Sequence, residues 1–152
     1  ARRLGDRAAP PVHLFVAAHV APHLHGDVPA THLLPRDELV ARLGAMGGTP
    51  SAVLDNTALM DHFLPIVRAD LGLCADYVYD PTAGRFLTIP ISAFGATSDP
   101  EVPVCAIGPW ADLTRGPFRL RLIPGNHFFA ARAPEQLMRA IEHDLASRVP
   151  CG

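Results

Sequence analysis

Two short apolar runs constrain this chain more than anything else in it. Residues 89–94 and 118–123 each read as a strand, and each is followed by a glycine-bearing loop that hands over to one ionisable side chain. The first run leads through Gly95 to Asp99, and the second leads through Pro124 and Gly125 to His127. Proline removes a ladder donor and glycine permits backbone angles that other residues avoid, so a strand ends at such a corner. The residues that follow are displayed in a loop beyond the sheet. Pro90 removes a donor as well and belongs at the beginning of its strand. A third apolar run, residues 12–18, follows two prolines and reads as a parallel strand buried on both faces. The fold class this predicts is α/β.

A carboxylate at one strand end and a histidine at the next supply two parts of a nucleophilic triad. A histidine that takes a proton from a serine becomes a cation, and a nearby carboxylate fixes its tautomer and stabilises that charge. Taken alone, His127 reads equally well as a loop histidine without a role. The aspartate upstream is what favours chemistry. Asp-then-His is the order of the α/β-hydrolases, where the nucleophile comes first in the chain. Asp76, Asp80 and Asp112 are competing carboxylates, but none follows a buried-strand signal. Ser98 lies beside Asp99 without the context of a nucleophile elbow.

Between the run at residues 12–18 and the run at residues 89–94 the pattern is helical. Pro35 suits a first helical position, with Asp37 and Glu38 where a helix dipole favours anions. Leu39, Val40, Leu43 and Met46 recur at helical spacing before Gly47 and Gly48. Thr49 and Pro50 restart a short helix. Asn56 or Thr57 caps the next one, which carries Leu59, Met60, Phe63, Leu64, Ile66, Val67 and Leu71, with a kink expected at Pro65. Arg68 and Asp70 read as a local ion pair or as solvated charges. The last helix opens at Pro134, with Glu135 in its first turn, Arg148 in its last, and Leu137, Ile141 and Leu145 as its buried stripe.

Residues 47–70, the strand leading to Asp99 and Pro100, Trp110 with Thr114, and residues 116–129 together resemble the type II thioesterases. These are stand-alone editing hydrolases of polyketide and nonribosomal-peptide assembly lines. The resemblance covers nearly the whole chain but only the later part of the family's sequence, and no Gly-x-Ser-x-Gly elbow is present. It implies the C-terminal portion of an α/β-hydrolase fold over residues 1–152, with a helical lid inserted at about residues 26–80. It implies hydrolysis of acyl groups from the phosphopantetheine arm of an acyl or peptidyl carrier protein, with His127 as general base and then acid, and Asp99 orienting it. Leu59, Met60 and Phe63 are the lid residues expected to meet an acyl chain. The nucleophilic serine and the oxyanion donors would lie upstream of Ala1, in an N-terminal half of the enzyme. These residues alone are therefore expected to be inactive. Ala1–Gly5 reads as the end of a helix, which agrees. The family's helix at residues 101–116 is weakened here by Pro103, Gly108 and Pro109. Asn126 stands where the family more often has glycine, and asparagine tolerates a left-handed backbone.

Composition limits the alternatives. A formal net charge of −2 gives no electrostatic footprint for nucleic acid, and no apolar run approaches the roughly 20 residues of a membrane span. Cys74, Cys105 and Cys151 have no metal-like spacing, which points to free thiols in a reducing cytoplasm. No cofactor is expected. His19, His23, His25 and His32 form a histidine-rich loop that could hold zinc, although no cysteine or second spaced pair supports this; His13 reads as a residue at a strand mouth. A terminal thioesterase, another α/β-hydrolase and a non-catalytic carrier-protein-binding module remain alternative readings. With three strands and few helices, the chain is expected to expose an apolar face and so to be unstable, aggregated or dimeric.

Overall fold

The three apolar runs form one parallel sheet in chain order: β1 (Leu14–Ala17), β2 (Ile91–Ala96) and β3 (Phe118–Ile123). The computed structural model describes residues 10–26, 30–82 and 86–147. In register, Leu14 faces Ile91, and Ile91 faces Phe118. Pro90 sits just before β2, as its lost donor requires, and its carbonyl accepts from the backbone of Leu14. β2 lies between the other two and is buried along its whole length, as a central parallel strand must be. Gly116 allows the approach to β3, because a Cβ there would stand 2.8 Å from the backbone carbonyl carbon of Ile89.

Side chains alternate between the two faces of the sheet. On one face Phe94, Ala96 and Ile123 pack with Phe129, and Phe15, Leu137 and Ile141 join them. This face is covered by α5 (Phe129–Arg132) and α6 (Pro134–Ala146). On the other face Ala93 packs with Val102 and Ile107, joined by Val16, Trp110 and Phe118. The segment that covers it is not one helix. It is the four-residue α4 (Val104–Ile107) followed by a 3₁₀ turn at Gly108–Leu113, as the two prolines and the glycine predict. Cover is incomplete at the β3 edge, where Leu120 and Leu122 are exposed.

The last helix differs from the expectation at one position. Leu137 and Ile141 pack on the core, but Leu145 is exposed and Asp144 is buried in its place. The helical face is set by polar groups below it: β3 turns Arg119 and Arg121 towards α6, and a carboxylate satisfies them where a leucine would not. Arg148 lies outside the described residues.

The chain divides into two compact units, one of Ala1–Leu24 with Asp80–Gly152 and one of His25–Tyr79. The second unit is helical: α1 (Arg36–Met46), α2 (Ser51–Leu54) and α3 (Thr57–Ala75). Gly47 ends α1 in a left-handed conformation, and the Asn56 side chain caps α3 by accepting from the Leu59 amide. Pro35 stands at the N-cap, one residue earlier than expected, and α3 runs continuously through Pro65. Leu39, Met60 and Leu64 form this unit's interior. Arg68 makes no pair with Asp70; its guanidinium donates to the carbonyls of His32 and Leu34, closing the turn before α1.

Candidate active site

Because the strands are parallel, the loops after β2 and β3 leave the sheet at the same rim. They are tied together there. The Thr97 amide donates to the Ile123 carbonyl at 3.1 Å, and the Ser98 amide to the Gly125 carbonyl at 2.9 Å. Gly125 takes a φ of 136°, which a side chain would resist. These two bonds bring residues 99 and 127 together, and the His127 ring Nδ1 lies 2.9 Å from Asp99 Oδ2.

The geometry of this pair is specific. The Asp99 side chain is 0% exposed and that of His127 is 23% exposed. Asp99 Oδ1 is also engaged, accepting the amides of Glu101 at 2.8 Å and Val102 at 3.1 Å. The carboxylate plane is therefore fixed by the backbone, and Oδ2 is left for the imidazole. A carboxylate only accepts, so Nδ1 carries the proton and donates. In the neutral ring this leaves Nε2 as the basic nitrogen. Phe128 packs edge-on against the ring at 5.4 Å between centroids. The third strand end at this rim is strained: Ala18, just after β1, is the one described non-glycine residue with positive φ, at 49°.

Asn126 serves the site differently from the sequence expectation. Its backbone is not left-handed. Its Oδ1 accepts the Phe128 amide at 3.1 Å and its carbonyl accepts the Phe129 amide at 3.0 Å. Aspartate or asparagine two residues before a needed turn is the available signal for this.

The other candidates lie elsewhere. Ser98 uses its amide in the loop tie, and no described residue other than Asp99 hydrogen-bonds the His127 ring. Asp112 is largely exposed and lies 3.5 Å from the His23 ring, while Asp80 caps the turn at Thr82. Of the three residues expected to meet an acyl chain, Met60 is buried in the interior of its own unit, Leu59 is half-buried and Phe63 is exposed. Among the described residues no cluster of three His, Cys, Asp or Glu could hold a metal ion, which removes support from the zinc reading. No helix among them is long and apolar enough to cross a membrane.

A second polar cluster, which the sequence did not reveal, lies towards the opposite end of the sheet. Ser92, 0% exposed, donates to Asp144 Oδ2 at 2.7 Å. Since that hydroxyl proton is spent, the His13 Nε2–H is the donor in the 2.9 Å contact with Ser92 Oγ. Arg119 donates to Asp144 Oδ1 at 2.6 Å, and Arg121 and His143 also bond this carboxylate. Burial pushes the Asp144 carboxyl up, but the hydrogen bonds from Arg121, Ser92, Arg119 and His143 outweigh it and hold the group well below the usual carboxylate range. A cleft of about 370 Å³ adjoins this cluster, lined in part by His13, Ile91 and Arg119.

A thioesterase domain family model matches residues 1–145. Gramicidin S biosynthesis protein GrsT of Aneurinibacillus migulanus is 35% identical over 119 residues, covering 78% of this chain and 46% of that protein. The type II thioesterase BorB from the borrelidin biosynthetic cluster superposes with a TM-score of 0.76 at 32% identity, over 86% of this chain and 53% of its own. RedJ, a thioesterase from the prodiginine pathway of Streptomyces coelicolor, gives 0.77 at 36%, over 89% and 52%. The chain spans about half the length of the relatives it matches. Its fold is that of the C-terminal portion of an α/β-hydrolase, and the chain belongs to the thioesterase domain family.

Proposed function

We propose that these residues supply the acid–base half of an editing thioesterase that releases acyl groups from the phosphopantetheine thioester of an acyl or peptidyl carrier protein. The observation that carries this reading is the His127–Asp99 hydrogen bond at one sheet rim, with both carboxylate oxygens committed. Asp99 holds the imidazole in the Nδ1–H tautomer. Nε2 takes the proton from a serine hydroxyl as it attacks the thioester carbonyl, and returns it to the leaving thiol. A water then replaces the thiol, and the same nitrogen deprotonates it to release the acid. Relatives from gramicidin, borrelidin and prodiginine biosynthesis support a carrier protein as the partner. The His25–Tyr79 unit acts as the lid, with Leu59 and Phe63 as its acyl-facing surface. Exposed thiols at Cys74 and Cys105 support a cytoplasmic setting.

The serine and the oxyanion donors come from outside these 152 residues. The sequence has no Gly-x-Ser-x-Gly motif, and none of its serines hydrogen-bonds His127. The 152 residues alone therefore hydrolyse no acyl-carrier thioester above background. Joining them to the N-terminal half of a related type II thioesterase restores release of the acyl group, read by intact mass of the carrier protein. Turnover by the 152 residues alone that disappears in His127→Ala would overturn the inactivity. A folded chimaera that leaves the acyl-carrier intact would overturn the function.

A further inference from the structure

Residue 127 is enclosed by turns that hinge on its neighbour. Up to Gly125 the His127 loop is tied to the Asp99 loop through backbone bonds. Beyond Gly125 the chain must reverse within three residues to return the imidazole to Asp99. Two hydrogen bonds close that reversal, and both end on Asn126: its side-chain Oδ1 holds the Phe128 amide, and its carbonyl holds the Phe129 amide. Phe129 is 1% exposed and anchors the far side in the core. The peptide that joins His127 to Phe128 is thus gripped at its N–H by a side chain. A glycine at 126 would keep the carbonyl bond but lose the side-chain acceptor, and the Phe128 amide would turn to water.

We infer that Asn126 is a positioning residue for His127, holding the imidazole in line with Asp99 through the Phe128 amide. It touches no reacting atom and acts through the histidine. The consequence for rate rests on the proposed function, but the positioning itself does not. Aspartate at 126 retains the Oδ acceptor, whereas alanine and glycine lose it, so side-chain chemistry separates this role from backbone flexibility. Glycine tests the backbone, alanine tests the acceptor without added flexibility, and aspartate tests rescue.

The test is the exchange of the His127 Nδ1 proton with water in the ¹⁵N-labelled, folded chimaera with the N-terminal half of a related type II thioesterase, with the resonance assigned by its loss in His127→Gln. Loss of one such hydrogen bond speeds local opening about five- to tenfold. Asn126→Ala and Asn126→Gly are expected to accelerate exchange by that factor, and Asn126→Asp to restore the original rate. Ile91→Ala, which weakens the core at the start of β2 and away from the loop, controls for general loss of stability and is expected to leave the exchange rate unchanged. Unchanged exchange in both the alanine and glycine variants would overturn the inference, as would an equal acceleration in Ile91→Ala. Failure of the chimaera to release acyl groups would sink the proposed function and leave this inference standing.

Discussion

The two polar clusters of the sheet unit are built from the same residue types and wired in opposite ways. At the rim where the strands end, Asp99 holds His127 by Nδ1 and leaves Nε2 to face a partially open surface. Near the strand starts, His13, Ser92 and Asp144 also meet, but serine sits in the middle and gives its proton to the carboxylate. A serine that donates to aspartate and is 0% exposed cannot attack a thioester. Arg119 and Arg121 complete that cluster and join β3 to α6. The lesson is that a triad is recognised by the direction of its hydrogen bonds and by access, and not by which residues are close. The rim cluster positions a base; the inner cluster fastens a helix to the sheet.

If that contrast is right, charge removal should separate activity from stability. In the chimaera, Asp99→Asn leaves the fold and loses the tautomer control, lowering kcat about 10⁴-fold. Steady-state kinetics on an acyl-carrier substrate checks this; a loss of less than tenfold breaks the contrast. Asp144→Ala should do the reverse. It strands the buried Ser92 donor and two arginines, and costs roughly 3 kcal/mol of stability by urea unfolding, while the folded fraction keeps its rate. Acid sharpens the same point. The folded Asp144 group lies below its unfolded value of about 3.9. Its contribution is therefore complete above about pH 4 and is lost as pH falls below that towards the folded value. Urea midpoints from pH 7 to pH 3 should show a fall that is shallower in Asp144→Asn than in the original chain. The smallest expected effect is at Leu145: as an exposed residue, Leu145→Gln should change stability by no more than about 0.5 kcal/mol.

Much of this was readable from the order of residues. The three strands, the helical block between the first two, and the Asp99 and His127 positions all follow from apolar runs and the corners that end them. What could not be read was where polar atoms would find partners. Ser92 is one small polar residue inside an apolar strand, a pattern that gives no hint of a carboxylate above it. Asp144 stands beside Leu145 in the helix, and helical periodicity alone favoured the leucine; only the arginines beneath decide which of the two turns inward. Arg119 and Arg121 alternate with leucines along β3, which ends the described sheet, and nothing in that alternation shows that both reach α6. Asn126 was read for its backbone tolerance, while its side-chain oxygen is what the loop uses. Met60 and Phe63 share one apolar helix, and which of them faces inward is set by α1 and α2, which no local pattern reports.

The most direct test compares the two histidines side by side. His127→Ala and His13→Ala are each placed in the chimaera, and single-turnover release of the acyl group from the carrier protein is timed. The account predicts that His127→Ala slows release by about 10² to 10⁴-fold and that His13→Ala stays within about twofold of the parent, since Ser92 and not a substrate receives its proton. Equal rates for the two variants, or a larger loss at His13, would contradict it.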